Sequence, residues 1–570
     1  MNQCIGTRLF WCIKIGIVRS DHAGSQMDHS RHPESALIFL QREFLMQAIA
    51  LVQQGKPAGT SDVPPIPADR PRLRIGLFAA TRLQPRALVE AFEEIAHSDY
   101  AEIVLLAVNN RNGDRVPWLW RIYRHLDRWI FSTAPRSAEM VDLVSRLQAI
   151  HSLNLPGNIT GSTVVNIWQA EIVALRLDVA FVLGDLESKT LESVARFGVW
   201  RFQFGEERQP HNGLEGFREV ADGQAMTMTR LTAALAADGE QLLYESRSRT
   251  APFSATRNRE KLLRRAAKLP GRVLKELYRS TATGLLQPPG RPLPCPDRAP
   301  AADLKMMPSL INIGGRFVSR CLQKLFYVEQ WFIAYSFSND EGETPAPGKS
   351  RCLMPPTDRF WADPFPLVRD SRHYIFFEEL VFAEGKAHIS VIEVDRNGPC
   401  SPPQRVLERP YHLSYPFLVE EEGQLFMVPE TGANGTVELY RCLHFPDRWI
   451  FEKVLLKAPG CVDATLHYAD EKWWMFVNLG DASDGDYDEM HIYHADNLYG
   501  EWQAHRLNPV KSDVRNARPA GRLFERNGAL YRPAQIGVPL YGSGISINRV
   551  LKLSTEEFLE QEVGRILPQR

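Results

Sequence analysis

The sequence predicts a multidomain chain, an α/β domain followed by an all-β five-bladed propeller, and three observations carry that prediction. Two clusters of proline divide the chain, strand-like and helix-like runs alternate between them, and four segments recur after the second cluster at intervals of 52, 48 and 57 residues.

At 570 residues the chain exceeds one core, which stops growing at roughly 250 to 300 residues, so two large domains are expected. The first cluster places five prolines between Pro57 and Pro71, and the second places seven between Pro288 and Pro308, a composition that favours extended chain. The expected division is a poorly ordered extension at 1–70, the α/β domain at 71–285, a Pro-rich linker at 286–324 and the propeller at 325–570. Within the extension, RLFWCIKIGIV is apolar over about a dozen residues and interrupted by Lys14, short of the ~20 that a bilayer requires, so no transmembrane segment is expected.

The 67 basic and 68 acidic residues leave a net charge of -1, with no global field to attract nucleic acid or an anionic membrane. Any binding of a polyanion must therefore be local. The eight cysteines include no CxxC pair, which points to reduced thiols in a cytoplasmic protein, without a disulfide framework or a metal site.

Between the proline clusters, the apolar run Leu73 to Ala80 reads as a buried strand, and Leu88, Ala91, Phe92 and Ile95 recur at helical spacing. IVLLAV from Ile103 to Val108, Asp178 to Leu183, and GVWRFQF supply further strands. That alternation predicts a largely parallel sheet.

The repeat comprises WADPFPLVRDSRHYIFFEE, SYPFLVEEEGQLFMVPE, VDATLHYADEKWWMFVN and PAGRLFERNGALYRPAQ. Asp363, Tyr415, Asp463 and Ala520 share one position, and Tyr374, Leu425, Trp473 and Leu530 open a second strand 10 or 11 residues later. With four clear units, a fifth blade must be composite, closed by WFIAYSF (Trp331 to Phe337) meeting the end of the chain.

In an antiparallel hairpin the start of the first strand lies beside the end of the second, and in a propeller that edge opens at a mouth of the channel. Candidate catalytic residues there are Asp363, Asp463, Glu430 and Glu379, and Arg518, Asn478 and Gln535 are candidate substrate-binding residues. Crowded carboxylates raise one another's pKa, as acid and base chemistry on sugars requires. An alternative stays open, in which Asp363 caps a turn before Pro364 while Glu379 and Glu430 pair with arginines.

WADPF, PETG, VDATLHY and RPAGRLF resemble the propeller at the N-terminus of plant glucosamine inositolphosphorylceramide transferases and of bacterial relatives. WADPF is more distantly similar to the Asp-Pro opening of family forty-three glycosidases. That resemblance implies a general-base role for Asp363 with Asp463 in support, while an EGP-like general-acid motif is missing and Glu430 is its conceivable substitute.

The stretch from Gly198 to Thr250 resembles the catalytic region of folate-dependent formyltransferases, in which Asn, His and Asp serve transfer from 10-formyltetrahydrofolate. The corresponding positions are Arg201, Gln203 and Asp238, with His211 nearby, and a glutamine amide does not titrate. Beyond it, nine Lys and Arg residues from Arg257 to Arg279 form a basic helix that either contacts phosphates or is a solvated face.

The resemblances imply a transferase of polysaccharide or glycolipid biosynthesis whose partner is a sugar, nucleotide sugar or glycolipid. The alternatives are a non-catalytic carbohydrate-binding or assembly protein and a glycoside hydrolase.

Overall fold

The computed structural model of the chain describes residues 11–18, 71–337 and 350–567, except 110–117, 132–136, 148, 156–170, 187–190, 192–193, 207–212, 236–238, 281–290, 293–302, 338–349 and 481–486. It divides into two compact units, one of residues 58–319 and one of 1–57 with 320–570.

The 58–319 unit is built on an eight-stranded sheet in the order Arg291–Pro292, Gly239–Arg249, Met226–Leu235, Val199–Phe204, Val179–Leu183, Leu73–Ala79, Ala101–Asn109 and His151–Leu155. The last five are mutually parallel, and the first three run antiparallel to their neighbours. The inner parallel strands Val179–Leu183, Leu73–Ala79 and Ala101–Asn109 are covered on both faces, which is why they read as apolar runs. Helix Arg86–Ala96 buries Leu88, Ala91, Phe92 and Ile95, the residues found at helical spacing. Helix Ala255–Ser280 packs Leu262, Leu269, Val273 and Leu277 into the same core.

The basic residues of this long helix are engaged within the unit instead of forming a free phosphate-contacting face. Arg257 donates to the Phe131 carbonyl at 2.9 Å, Arg259 pairs with Glu215 at 2.6 Å and Lys261 donates to the Arg249 carbonyl at 2.8 Å. Arg272 stacks over Tyr244 at 4.4 Å and Lys275 over Tyr100 at 5.4 Å.

Residues 303–324 of the expected extended linker instead belong to a helix, Asp303–Phe326. Six of the seven prolines precede or stand clear of its body, and only Pro308 lies inside it, in an early turn. Beyond it, Leu310 and Ile313 recur at helical spacing and pack on Trp120 and Phe217, and this burial outweighs the proline signal.

The second unit is propeller-like, with four sheets of four principal strands that follow one another along the chain at 359–407, 414–457, 461–504 and 524–566. In each, the first two strands are joined by a two-residue turn, Asp370-Ser371, Glu422-Gly423, Asp470-Glu471 or Asn527-Gly528, with both residues at positive φ. Such turns match the strand twist and set the hairpin register.

A further three-stranded sheet is made of Trp11–Val18, Tyr327–Tyr335 and Arg351–Leu353. The expected pairing of the Trp331 strand with the chain's end is therefore corrected. Phe558–Ile566 stays in the fourth sheet, and the partner is an N-terminal segment placed within the poorly ordered extension. Isoleucine- and valine-rich chain gains by completing an unpaired sheet edge. The three-stranded sheet meets its neighbours on both sides: Gln330 donates to the Pro356 and Arg359 carbonyls at 2.7 and 2.9 Å, and Trp331 packs edge-on against Tyr541 at 6.0 Å.

Candidate functional site

Asp363, Tyr415 and Asp463 share more than an alignment position, because each adopts left-handed backbone with φ of 46°, 45° and 57°. Each stands in a bulge of the first strand, between Ala362 and Phe365, Ser414 and Phe417, or Val462 and Thr465. A bulge re-aims a side chain, and left-handed backbone in non-glycine residues is a strain typical of functional positions.

The first-strand residue just before each bulge pairs with the end of the second strand, and the partners are Glu378, Glu430 and Asn478. Glu379 is therefore one residue out of register, and a slip of one reverses the face of a strand. Its carboxylate accepts from Arg359 at 3.0 Å, Trp361 at 3.1 Å, Ser390 at 2.6 Å and meets His388 at 3.1 Å. Burial alone would raise its pKa, yet the hydrogen bonds from His388, Ser390, Arg359 and Trp361 hold it well below the usual carboxylate range. Glu379 thus braces the first sheet away from the mouth, and the mouth position belongs to Glu378, which pairs with His412 at 3.1 Å.

Replacing Glu379 by alanine is expected to cost about 3 kcal/mol, since it strands buried His388 and takes one of two carboxylate partners from half-buried Arg359. A depressed carboxyl stabilises fully above its unfolded pKa and loses that contribution as pH falls toward the folded value. Denaturation of both proteins across acid pH should show the difference shrinking, and a constant difference would refute the role.

The remaining carboxylates do converge. Arg518 makes two hydrogen bonds to Asp463, one from Nη2 at 3.2 Å and a shorter one from Nε, and its Nη2 lies 3.9 Å from Glu430. Its guanidinium is held between the rings of Tyr487 at 4.7 Å and Tyr541 at 4.9 Å. Asp463 and Arg518 form a buried floor, while Asp363 and Glu430 are ringed by protein and still reached by solvent.

Burial, then the charges of Glu378 and Asp463, push Asp363 well above the ordinary carboxylate range. Burial, then Asp463, does the same to Glu430, which in its protonated form donates a hydrogen bond to Asp463. Arg518 is held above its ordinary value by Asp463 against the effect of burial. The mouth therefore presents two carboxyls with raised pKa values over one ion pair.

Asn478 is fully buried, and neither its amide oxygen nor its nitrogen has a hydrogen-bond partner among the described residues. Gln535 contributes its backbone, donating to the Arg518 carbonyl at 2.8 Å. Tyr415 replaces an acid with a brace: its hydroxyl accepts from the Gly521 N–H at 2.7 Å and meets the Thr465 hydroxyl at 2.7 Å, linking the second and third sheets to the segment that leads into the fourth. Gly432 of PETG is required by close approach, because a Cβ there would stand 2.2 Å from the Cys461 carbonyl oxygen.

Sequence reasoning missed Glu378, Tyr487 and Tyr541. The signal for Glu378 was the two-residue turn, since counting from Asp370-Ser371 rather than from the first aromatic aligns it with Glu430 and Asn478. Tyr487 and Tyr541 stand outside the strands, where the repeat gives no position to count from.

The other unit has a cavity of about 520 Å³ at the carboxyl ends of its parallel strands. The chain runs from Leu73–Ala79 outward to His151–Leu155 and then returns to Val179–Leu183 on the other side, so the two innermost strands flank a topological switch point. Ala80, Thr81, Gly184 and Asp185 line the cavity there, as ligand sites in open α/β sheets do. Arg124, Arg128 and Arg259 also line it, and burial followed by these neighbouring cations draws Arg124 below its ordinary value.

Phe202 and Phe204 face the cavity, whereas Arg201 and Gln203 are not among its lining residues. The Gln203 amide nitrogen donates instead to the Gly205 and Glu206 carbonyls at 3.4 and 3.1 Å. His211 and Asp238 lie outside the described residues. Arg201 and Gln203 do not fit formyl transfer from 10-formyltetrahydrofolate, since neither lines the cavity and Gln203 has no proton to exchange.

Fold and site together define a propeller with an acid–arginine cluster at its mouth. Residues 351–569 match the family described as glucosamine inositolphosphorylceramide transferase 1, N-terminal. Glucosamine inositolphosphorylceramide transferase 1 of Arabidopsis thaliana is 33% identical over 211 residues, covering 36% of this chain and 27% of that protein. Its namesake from Oryza sativa subsp. japonica is 33% identical over 212 residues, covering 36% and 28%. The chain thus spans about a quarter of the length of the curated relatives it matches.

Among solved structures, a GH43 β-xylosidase/α-arabinofuranosidase from a compost microbial metagenome is 13% identical, with 40% of this chain and 82% of that chain covered and a TM-score of 0.30. A Cellvibrio cellulosa α-L-arabinanase is 14% identical, with 35% and 77% covered and a TM-score of 0.27.

Proposed function

We propose that the propeller mouth binds a sugar and that the protein is a transferase in the assembly of a polysaccharide or glycolipid. The observation that carries this reading is the convergence of Asp363, Glu430 and Asp463 on Arg518, with burial and mutual repulsion pushing two of the acids above the ordinary carboxylate range. Carboxyls with raised pKa values, an amide at Asn478 without a partner among the described residues and flanking tyrosines suit a ligand dense in hydroxyls. The match of residues 351–569 to part of a sugar-lipid transferase supports the same substrate class.

Transfer or binding fits better than hydrolysis. A hydrolase needs an ionised carboxylate free to activate water or attack the sugar, whereas Asp463 is committed to Arg518. The 58–319 unit is read as the domain that holds a second ligand, a nucleotide sugar in the simplest scheme, on a fold of the formyltransferase type. Support comes from its cavity at the switch point. We place the protein in the cytoplasm, a reading supported by the free thiols of Cys321, Cys352, Cys400, Cys442 and Cys461.

A thermal-shift panel of amino sugars, glycans and nucleotide sugars tests the assignment, because a ligand stabilises by mass action whatever the chemistry. The expected result is a sugar-dependent rise that disappears in an Asp363→Asn/Asn478→Ala double variant. A rise that persists unchanged would remove the mouth from consideration.

A further inference from the structure

We propose that helix Trp118–Ile130 docks the 58–319 unit onto a membrane surface rich in anionic lipid. This inference is independent of the propeller reading, and its test reads a different property.

The helix is 13 residues long, and successive residues turn by about 100°. Trp120, Tyr123 and Asp127 therefore share the side that packs into the unit, where Trp120 and Tyr123 meet Phe217. That side already satisfies the need of an amphipathic helix for a core. A second apolar stripe, Trp118, Ile122, Leu126 and Trp129, runs along the exposed side, with Trp129 78% and Trp118 60% accessible. Two tryptophans so open to water are not explained by core packing.

The remaining arc carries Arg121 and His125, both exposed, and then Arg128 and half-buried Arg124, which also line the cavity. The helix's one carboxylate, Asp127, is buried and accepts from the Thr256 N–H at 2.8 Å, so every charge the helix shows to solvent is positive. An apolar stripe beside a cationic stripe, with tryptophan on the former, is the pattern of a helix lying in a bilayer interface. The charge excludes a neutral partner surface as the best complement and favours anionic headgroups.

The neighbouring helix also exposes apolar residues. Phe131, at the end of the first helix, packs edge-on against Phe317 at 5.7 Å, and Ile311 and Val318 of that second helix are exposed two turns apart. Among the described residues no helix is long and apolar enough to cross a membrane, so the surface proposed here lies on the bilayer.

The test is co-sedimentation of the full chain with phosphatidylcholine vesicles with and without phosphatidylglycerol. Binding is expected only with the anionic lipid and should weaken as salt is raised. Trp118→Ala/Trp129→Ala should lower the partition coefficient at least about tenfold, and Arg121→Glu by about tenfold, with thermal midpoints unchanged because the residues are exposed. Absence of vesicle binding by the parent protein overturns the proposal, as does equal binding by the tryptophan variant. Conversion of a dimer to a monomer by that variant, without vesicle binding, also overturns it by assigning the face to a second copy.

Discussion

Replacing Arg518 by methionine is expected to destabilise the propeller by about 3–5 kcal/mol at neutral pH, the largest stability effect of any single change at the mouth. The arginine is the cation among Asp363, Glu430 and Asp463, and its removal leaves the buried Asp463 side chain without its ion-pair partner. Methionine keeps much of the volume, so the loss is electrostatic and not a cavity effect.

The dependence on pH has a definite sign. A carboxyl whose folded pKa is raised binds its proton more tightly in the native state, so its contribution to stability is largest below the unfolded pKa and declines as pH rises through the folded value. Asp363 and Glu430 act this way in the parent protein, opposite to Glu379. Without Arg518, the cation that partly offsets the shifts of Asp363 and Glu430 is gone, both rise further, and acidification relieves the variant. Chemical denaturation at about pH 5 and about pH 8 should show the penalty largest at the higher pH. A penalty equal at both would mean that Arg518 stabilises by packing against Tyr487 and Tyr541 alone.

The parts of the molecule legible in the sequence are those governed by local rules. Four hairpins were visible because a two-residue turn fixes seven residues from Asp363 to Asp370, from Tyr415 to Glu422 and from Asp463 to Asp470. The parallel strands were visible because burial on both faces makes them continuously apolar. Glu379 was misplaced by one residue because aromatics at both His373's neighbour Tyr374 and Phe376 offered a false start to the second strand. The N-terminal strand and the 303–326 helix were missed for a different reason: what decides each is a partner far away in the chain, the Tyr327–Tyr335 edge in one case and Trp120 with Phe217 in the other. Arg201 and Gln203 were chosen by order of elements, which does not say which face of a strand meets a cavity.

Replacing Glu430 by glutamine should lower transfer activity by about 10²–10⁴-fold while leaving sugar-dependent stabilisation in place. Glutamine is nearly isosteric with the protonated acid and, like it, can donate to Asp463, so the ion pair with Arg518 and the brace from Tyr415 should persist. What the amide lacks is a transferable proton. In the parent protein Glu430 keeps that proton to unusually high pH because it is buried beside Asp463, so activity should fall as pH rises through its raised pKa. The glutamine variant should lose that limb of the profile along with its rate. A non-catalytic sugar-binding mouth predicts the opposite pattern, in which Glu430→Gln changes neither turnover nor its pH dependence and only Asp363→Asn/Asn478→Ala abolishes stabilisation by ligand. The two outcomes separate a proton donor from a hydrogen-bond donor at one position, where the surrounding charges are unchanged.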